Sequence, residues 1–145
     1  MSATRRAASF IGGIVCAATL VPGAAPVEAE QSDGLHACDY RRNYDGIPCR
    51  EVDRAISESA VEFGTDEVGL RKIARCESRF DPGADGGEYK GLFQQVAKDW
   101  QKRVAEFNET HNPDVGGNIY SPFDNARVSS RMLAAGMRDD WPNCA

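Results

Sequence analysis

Glu77 is the side chain of this 145-residue chain whose setting best suits it to proton transfer. Leu70, Ile73 and Ala74 precede it by seven, four and three residues. At 3.6 residues per turn those positions share its side of a helix. A carboxyl group that leaves an apolar stripe and enters a cleft loses hydration, so its charged form is disfavoured and its pKa rises. A proton donor that breaks a glycosidic bond near neutral pH needs that rise. The competing reading is a solvated carboxylate at a frayed helix end. Fourteen residues on lies Gly91-Leu92-Phe93-Gln94, a small residue followed by apolar and amide groups.

Other chemistries lack their residues. No Gly-x-Ser-x-Gly elbow and no glycine-rich phosphate loop occurs in the chain. No two cysteines have Cys-x-x-Cys spacing and His36 lies far from His111, so neither a metal site nor a cofactor is expected. Asp81 to Gly87 carries acidic residues, but its Pro-Gly and Gly-Gly pairs read as a turn and not as a calcium loop. A glycosidase of the ordinary kind needs a second carboxylate. Asp81, Asp85, Glu88 and Asp99 are the available ones, and each falls in a turn or on a polar face, where solvent accounts for it.

The elements that must position Glu77 are helical. Val52, Ile56, Ala60 and Phe63 recur at helical spacing, and Gly64 closes the run as a C-terminal glycine does. Thr65 is placed to cap the next helix, with Asp66 and Glu67 against the positive end of its dipole. That helix is expected to end near Ser78. A short hairpin is expected near Glu88–Phe93, a third helix over Val96–Phe107 with Trp100, Val104 and Phe107 on one side, and a loop from His111 to Asp124. A last helix is expected over Asn125–Met137, with Val128, Met132 and Ala135 inward. The chain carries no internal repeat. The expected fold class is all-α or mostly α.

Residues 1–29 read as an export signal: Arg5 and Arg6, a weakly polar stretch from Ala7 to Leu20, a break at Pro22-Gly23, then Val27-Glu28-Ala29 before the cleavage point. The stretch is short for a membrane anchor, so no stable insertion is expected after processing. A lipoprotein is disfavoured because Val15 stands before Cys16, and Thr4-Arg5-Arg6 matches twin-arginine export only in part. Processing leaves 116 residues, enough for one core, here divided into a stapled segment at 30–51 and a domain at 52–145. It also removes Arg5, Arg6 and Glu28, leaving 15 basic and 21 acidic side chains and a net charge of −6. That balance argues against nucleic acid as a partner, and a monomer is expected. Four cysteines remain, Cys38, Cys49, Cys76 and Cys144, an even set that in an exported small domain reads as two disulfides. Three pairings can be drawn. The favoured one joins Cys38 to Cys49 around Gly46-Ile47-Pro48, and Cys76 to Cys144 beside Glu77.

The run Ile73-Ala74-Arg75-Cys76-Glu77-Ser78-Arg79-Phe80-Asp81-Pro82, with Ala84 and then Gly91-Leu92-Phe93-Gln94-Gln95, resembles the soluble lytic transglycosylase family of lysozyme-like domains. The nearest branch is the secreted actinobacterial one, similar to the catalytic domain of resuscitation-promoting factors, whose pattern includes the cysteine before the glutamate and the closing Trp141-x-x-Cys144. The resemblance spans about Ala55 to Cys144. It implies a small lysozyme-like domain that cleaves the bond between N-acetylmuramic acid and N-acetylglucosamine in peptidoglycan glycan strands. Glu77 would be acid and then base, and closure of the muramic acid 6-hydroxyl on C1 would give a 1,6-anhydro product. Ser78 would orient the substrate or Glu77, and Gly91, Leu92, Phe93 and Gln94 would wall the cleft opposite. Tyr89 and Tyr120 are candidate sugar platforms, whereas Trp100 and Trp141 read better as core. One stretch departs from the family pattern: Asn125 directly follows Asp124, where the family has Asp-Pro and then Asn-Ile, so the substrate role of Asn125 stays open and Asp124 is expected to cap the helix. Three rivals stand beside this reading: a hydrolytic muramidase of the same fold, a non-catalytic wall-binding module, and a disulfide-rich ligand or inhibitor of a protein.

Overall fold

The computed structural model of the protein describes residues 34–144; the expected export signal at 1–29 lies outside them. Near the start of this span Asp45-Gly46 takes positive φ at both positions, 48° and 92°. A two-residue hairpin turn requires that, and Asp-Gly tolerates it. The turn joins β1 (Asn43–Tyr44) to β2 (Ile47–Pro48), with Tyr44 opposite Ile47. A 3-10 turn at Ala37–Asp39 precedes the hairpin. The Tyr44 hydroxyl is buried against it, donating to the Ala37 carbonyl at 2.9 Å, and burial pushes its pKa up to about 12.

Four helices follow: α1 (Cys49–Phe63), α2 (Glu67–Ser78), α3 (Ala97–Asn108) and α4 (Pro122–Ala134). A second hairpin, β3 (Tyr89–Lys90) with β4 (Gln95–Val96), lies between α2 and α3. The fold is mostly helical, as the periodicity predicts, and among the described residues no helix is long and apolar enough to cross a membrane. Gly64 ends α1 in the left-handed region at φ 62°.

The sequence misplaced the helix starts, and proline explains two of them. Extended Pro48 sets up α1 at Cys49, three residues before Val52, and that extra turn puts Cys49 on the buried face with Val52 and Ile56. Pro122 opens α4 three residues before Asn125, with Ser121 as cap accepting from the Asp124 amide. Asp124, the expected cap, instead accepts from the Asn118 amide at 3.1 Å. Asp66 rather than Thr65 caps α2, taking the Val68 and Gly69 amides, while Thr65 bonds Ser130 at 2.7 Å. The last helix stops at Ala134, so Ala135 faces solvent and not the core.

Packing centres on α1 against α4. Small residues at the contact, Ala55 and Ser59 on one helix and Ala126, Ser129 and Ser130 on the other, let the backbones approach, and the Ser130 hydroxyl reaches the Ser59 carbonyl at 3.0 Å. The described residues of the expected stapled segment at 30–51 belong to the same compact unit as the helices, and its last three form the start of α1. Leu35, Ala37 and Tyr44 join the core. Cys38 bridges to Cys49 and Cys76 to Cys144, with Cα separations of 5.0 and 5.6 Å, which is the favoured pairing.

Arg71, only 5 % exposed, stitches three parts of the fold together. Its guanidinium donates to Asp53 at 2.7 Å, Glu67 at 2.8 Å, Ser57 at 2.9 Å and the Leu35 carbonyl at 3.2 Å. Arg71→Met keeps the aliphatic stem but leaves the Asp53 carboxylate with the Ala37 amide and His36 in place of its closest cation. We expect it to destabilise the fold by about 3 kcal/mol, the lower end of the range for breaking a buried pair because Glu67 keeps contact with water. Urea denaturation followed by circular dichroism measures this.

Candidate active site

Glu77 occupies the penultimate position of α2. Leu70, Ile73 and Ala74 are buried beneath it, and Glu77 itself is half-buried. Burial raises its pKa above the ordinary carboxylate value. Among the described residues no ion pair or hydrogen bond compensates its carboxylate, so nothing offsets the loss of hydration. The helix ends abruptly just beyond it. Arg79 and Phe80 take left-handed φ of 55° and 65° and donate their amides to the Arg75 and Ala74 carbonyls respectively. Two such residues in succession, one of them a fully buried phenylalanine, store backbone strain of roughly 1–3 kcal/mol each beside the candidate acid.

The four residues Gly91–Gln94 form the turn of the second hairpin, and the turn is pinned on every side. The Ser78 hydroxyl lies 2.7 Å from the Leu92 carbonyl and 3.1 Å from that of Ala74. Asn125 accepts the Phe93 amide at 2.9 Å and donates to the Ile119 carbonyl at 2.8 Å. The Trp141 indole donates to the Phe93 carbonyl at 2.8 Å. The Gln94 amide closes the turn on itself through the Gly91 carbonyl at 3.0 Å and reaches the Ala84 carbonyl at 3.3 Å.

These contacts revise several expected roles. Leu92 and Phe93 are fully buried, so they are core and give the cleft no surface. Asn125 is also fully buried, and its amide is used by backbone. The Ser78 hydroxyl donates to the Leu92 and Ala74 carbonyls, which ties the end of α2 to the turn. Gly91 is glycine for the sake of packing: at φ 78°, a Cβ there would stand 2.2 Å from the Ile119 carbonyl oxygen and 2.5 Å from the Asn125 amide nitrogen. The Gly-Leu-Phe-Gln run is the frame against which Glu77 stands. Asn125→Ala leaves the Phe93 amide and Ile119 carbonyl buried without partners, and we expect a loss of about 2 kcal/mol with faster hydrogen exchange at Phe93.

A cleft of about 330 Å³ opens beside Glu77. Tyr89 and Gln94 wall it on the hairpin side, and Asp140, Trp141, Pro142 and Asn143 on the other. Tyr89 is half exposed, so its ring is free to meet a ligand face. Tyr120 is not part of this cleft; its hydroxyl donates to Asp85 at 3.1 Å, beneath Lys90. Trp100 is core, with its indole donating to the Gly117 carbonyl. Trp141 is 3 % exposed and does both jobs, packing edge-on against Phe93 while lining the cleft.

None of the four carboxylates considered as partners of Glu77 lines this cleft. Asp81 pairs with Arg41 and Asp85 with Lys90, Glu88 is exposed, and Asp99 lines a neighbouring hollow with Lys102, Arg131 and Asp140. The carboxylate that does line it is Asp140, which the sequence reading missed along with Pro142 and Asn143. A signal was available. Once Cys76 is bridged to Cys144, the residues just before Cys144 must lie against the end of α2 that bears Glu77. Among the described residues no group of His, Cys, Asp and Glu is arranged to hold a metal ion. The site therefore offers a partly desolvated acid beside an aromatic face in one cleft, which suits proton transfer to a polar, ring-shaped substrate. No protein family, characterised protein or solved structure matches this chain.

Proposed function

We propose that the protein is an exported enzyme with a lysozyme-like domain that cleaves the glycan strands of peptidoglycan as a lytic transglycosylase. The observation that carries this reading is Glu77, a half-buried carboxylate with raised pKa and no compensating cation, standing in a cleft beside Tyr89 and Gln94. Protonated Glu77 gives its proton to the oxygen bridging N-acetylmuramic acid to N-acetylglucosamine. The C1–O bond breaks with its electron pair leaving on that oxygen, and positive charge develops at C1 and the ring oxygen. The Glu77 carboxylate then takes the proton of the muramic acid 6-hydroxyl as O6 bonds to C1. The products are a 1,6-anhydro end and a free 4-hydroxyl, and no water is consumed. Burial serves both halves, because it favours the protonated form at the start and makes the carboxylate a stronger base afterwards. Two disulfides agree with an oxidising destination, and the acidic net charge leaves recognition to the cleft rather than to long-range attraction by the wall. The chain is proposed to act as a monomer, without cofactor or nucleic acid.

Asp140 favours a second reading, hydrolysis by two carboxylates. It lines the same cleft, held by Arg103 at 3.0 Å, in a position for a carboxylate to direct water. Mass spectrometry of the products separates the two. Anhydro-muropeptides support the transglycosylase route, and reducing-end muropeptides would replace it with a muramidase.

A further inference from the structure

Among the described residues, Ser59 alone has a buried side-chain polar atom that meets no hydrogen-bond partner. It lies on α1 where that helix meets α4 and is 1 % exposed. Its carbonyl receives the Ser130 hydroxyl at 3.0 Å, but its own hydroxyl is unpaired. Burying a hydroxyl without a partner is unfavourable, and alanine would pack there as Ala55 and Ala60 do. The fold alone gives no reason for serine at this position. Ser59 also stands at the floor of a hollow of about 330 Å³ that shares no residue with the Glu77 cleft. Phe123 gives this hollow an aromatic wall, and three carboxylates, Glu58, Glu62 and Asp124, line it against one guanidinium, that of Arg127. The guanidinium is fully engaged: it holds both oxygens of Glu62 at 2.8 and 2.6 Å and donates to the Pro113 carbonyl at 2.8 Å. Glu58 meets only Arg54, at 3.6 Å, whose guanidinium is drawn over the Phe123 ring at 4.9 Å. Asp124 pairs with no cation among the described residues.

We infer that this hollow binds a primary alkylammonium group, whose N–H bonds go to the Ser59 hydroxyl and to the carboxylates of Glu58 and Asp124 while its stem lies on Phe123. An ammonium carries three donors and no acceptor, which matches one unpaired hydroxyl and two carboxylates without a close cation. The surplus of acidic groups excludes an anion, and the depth of Ser59 selects a compact head. A quaternary ammonium carries the same charge but has no N–H to give. The site is independent of the glycan-cleaving reading, because it uses none of the groups beside Glu77.

Titration of n-butylammonium chloride into the protein at constant ionic strength, followed by amide chemical shifts, tests it. Saturable shifts are expected at residues 58–62 and 123–127, and none at 140–143. Tetramethylammonium should bind about tenfold more weakly, since it makes no hydrogen bond to Ser59. Ser59→Ala should raise the melting temperature of the unliganded protein by about 4 °C, because an unpaired buried hydroxyl is removed, and should weaken butylammonium binding about tenfold. Glu58→Gln changes an exposed position and should weaken binding about threefold. Nα-acetyl-lysine amide distinguishes the sources of the group: tighter binding than butylammonium assigns the site to a peptide side chain, and equal binding to a small amine. No saturable shift at residues 58–62, equal affinity for tetramethylammonium, or a Ser59→Ala protein that melts below wild type would overturn the inference.

Discussion

Glu77→Gln should abolish cleavage of peptidoglycan and make the protein more stable at neutral pH. Glutamine keeps the shape of the side chain but neither gives nor takes the proton, and loss of a general acid and base lowers rates by roughly 10²–10⁴ per role. Because Glu77 serves in both steps, the residual rate should sit at the lower detection limit of a dye-release assay on labelled sacculi. The stability change has the opposite sign. Burial raises the Glu77 pKa in the folded protein above its unfolded value, so ionisation is penalised only in the folded state. That penalty is absent below the ordinary carboxylate pKa, grows as pH rises through the interval up to the raised value, and is constant above it. Thermal unfolding should therefore show the variant melting above wild type at neutral pH and the two converging in acid. The same raised pKa sets the alkaline limb of activity, which should fall with rising pH as the acid loses its proton.

Removing the Cys76–Cys144 bridge should unfold the groove before it unfolds the rest. The bond spans 68 residues and ties the end of α2 to the segment that supplies Asp140, Trp141, Pro142 and Asn143. In the loop-entropy account a cross-link of that span is worth about 4 kcal/mol. The Cys76→Ser, Cys144→Ser double variant should lose about that much in urea denaturation. The other ties on the closing segment include the Trp141 indole to the Phe93 carbonyl, the edge-on packing of Trp141 on Phe93, and Arg103 to Asp140, none of them covalent. We therefore expect fast hydrogen exchange at residues 138–144 and at Phe93, with α1 and α4 still protected, and cleavage activity reduced at least tenfold at a temperature where the fold persists. The Cys38–Cys49 bond closes a loop of only 11 and touches no cleft residue, so activity should survive its loss.

The sequence carried Glu77 and its helix because a stripe of Leu70, Ile73 and Ala74 repeats at the helical period, and Gly64 marks the preceding boundary without ambiguity. It carried the Gly91–Gln94 motif as well, but not what the motif does. Spacing says that Leu92 and Phe93 stand near Glu77; only the path of the hairpin under Asn125 and Trp141 decides that they point inward. Asn125 was legible as a polar residue in an apolar helix pattern, a signal equally consistent with a ligand and with a backbone clamp. The clamp won because α4 begins at Pro122 and carries Asn125 into the core. Asp140 was invisible to periodicity, since it belongs to a 3-10 turn of three residues and reaches the cleft through a covalent bond four positions later.

The central claim is that this protein cuts wall glycan through Glu77, and release of soluble fragments from purified peptidoglycan by wild type and Glu77→Gln, side by side, tests it most directly. The account predicts fragments from the wild type alone, from two proteins that bind the polymer equally. Equal release by both would assign the chemistry elsewhere, and binding without release by either would make the protein a wall-binding module.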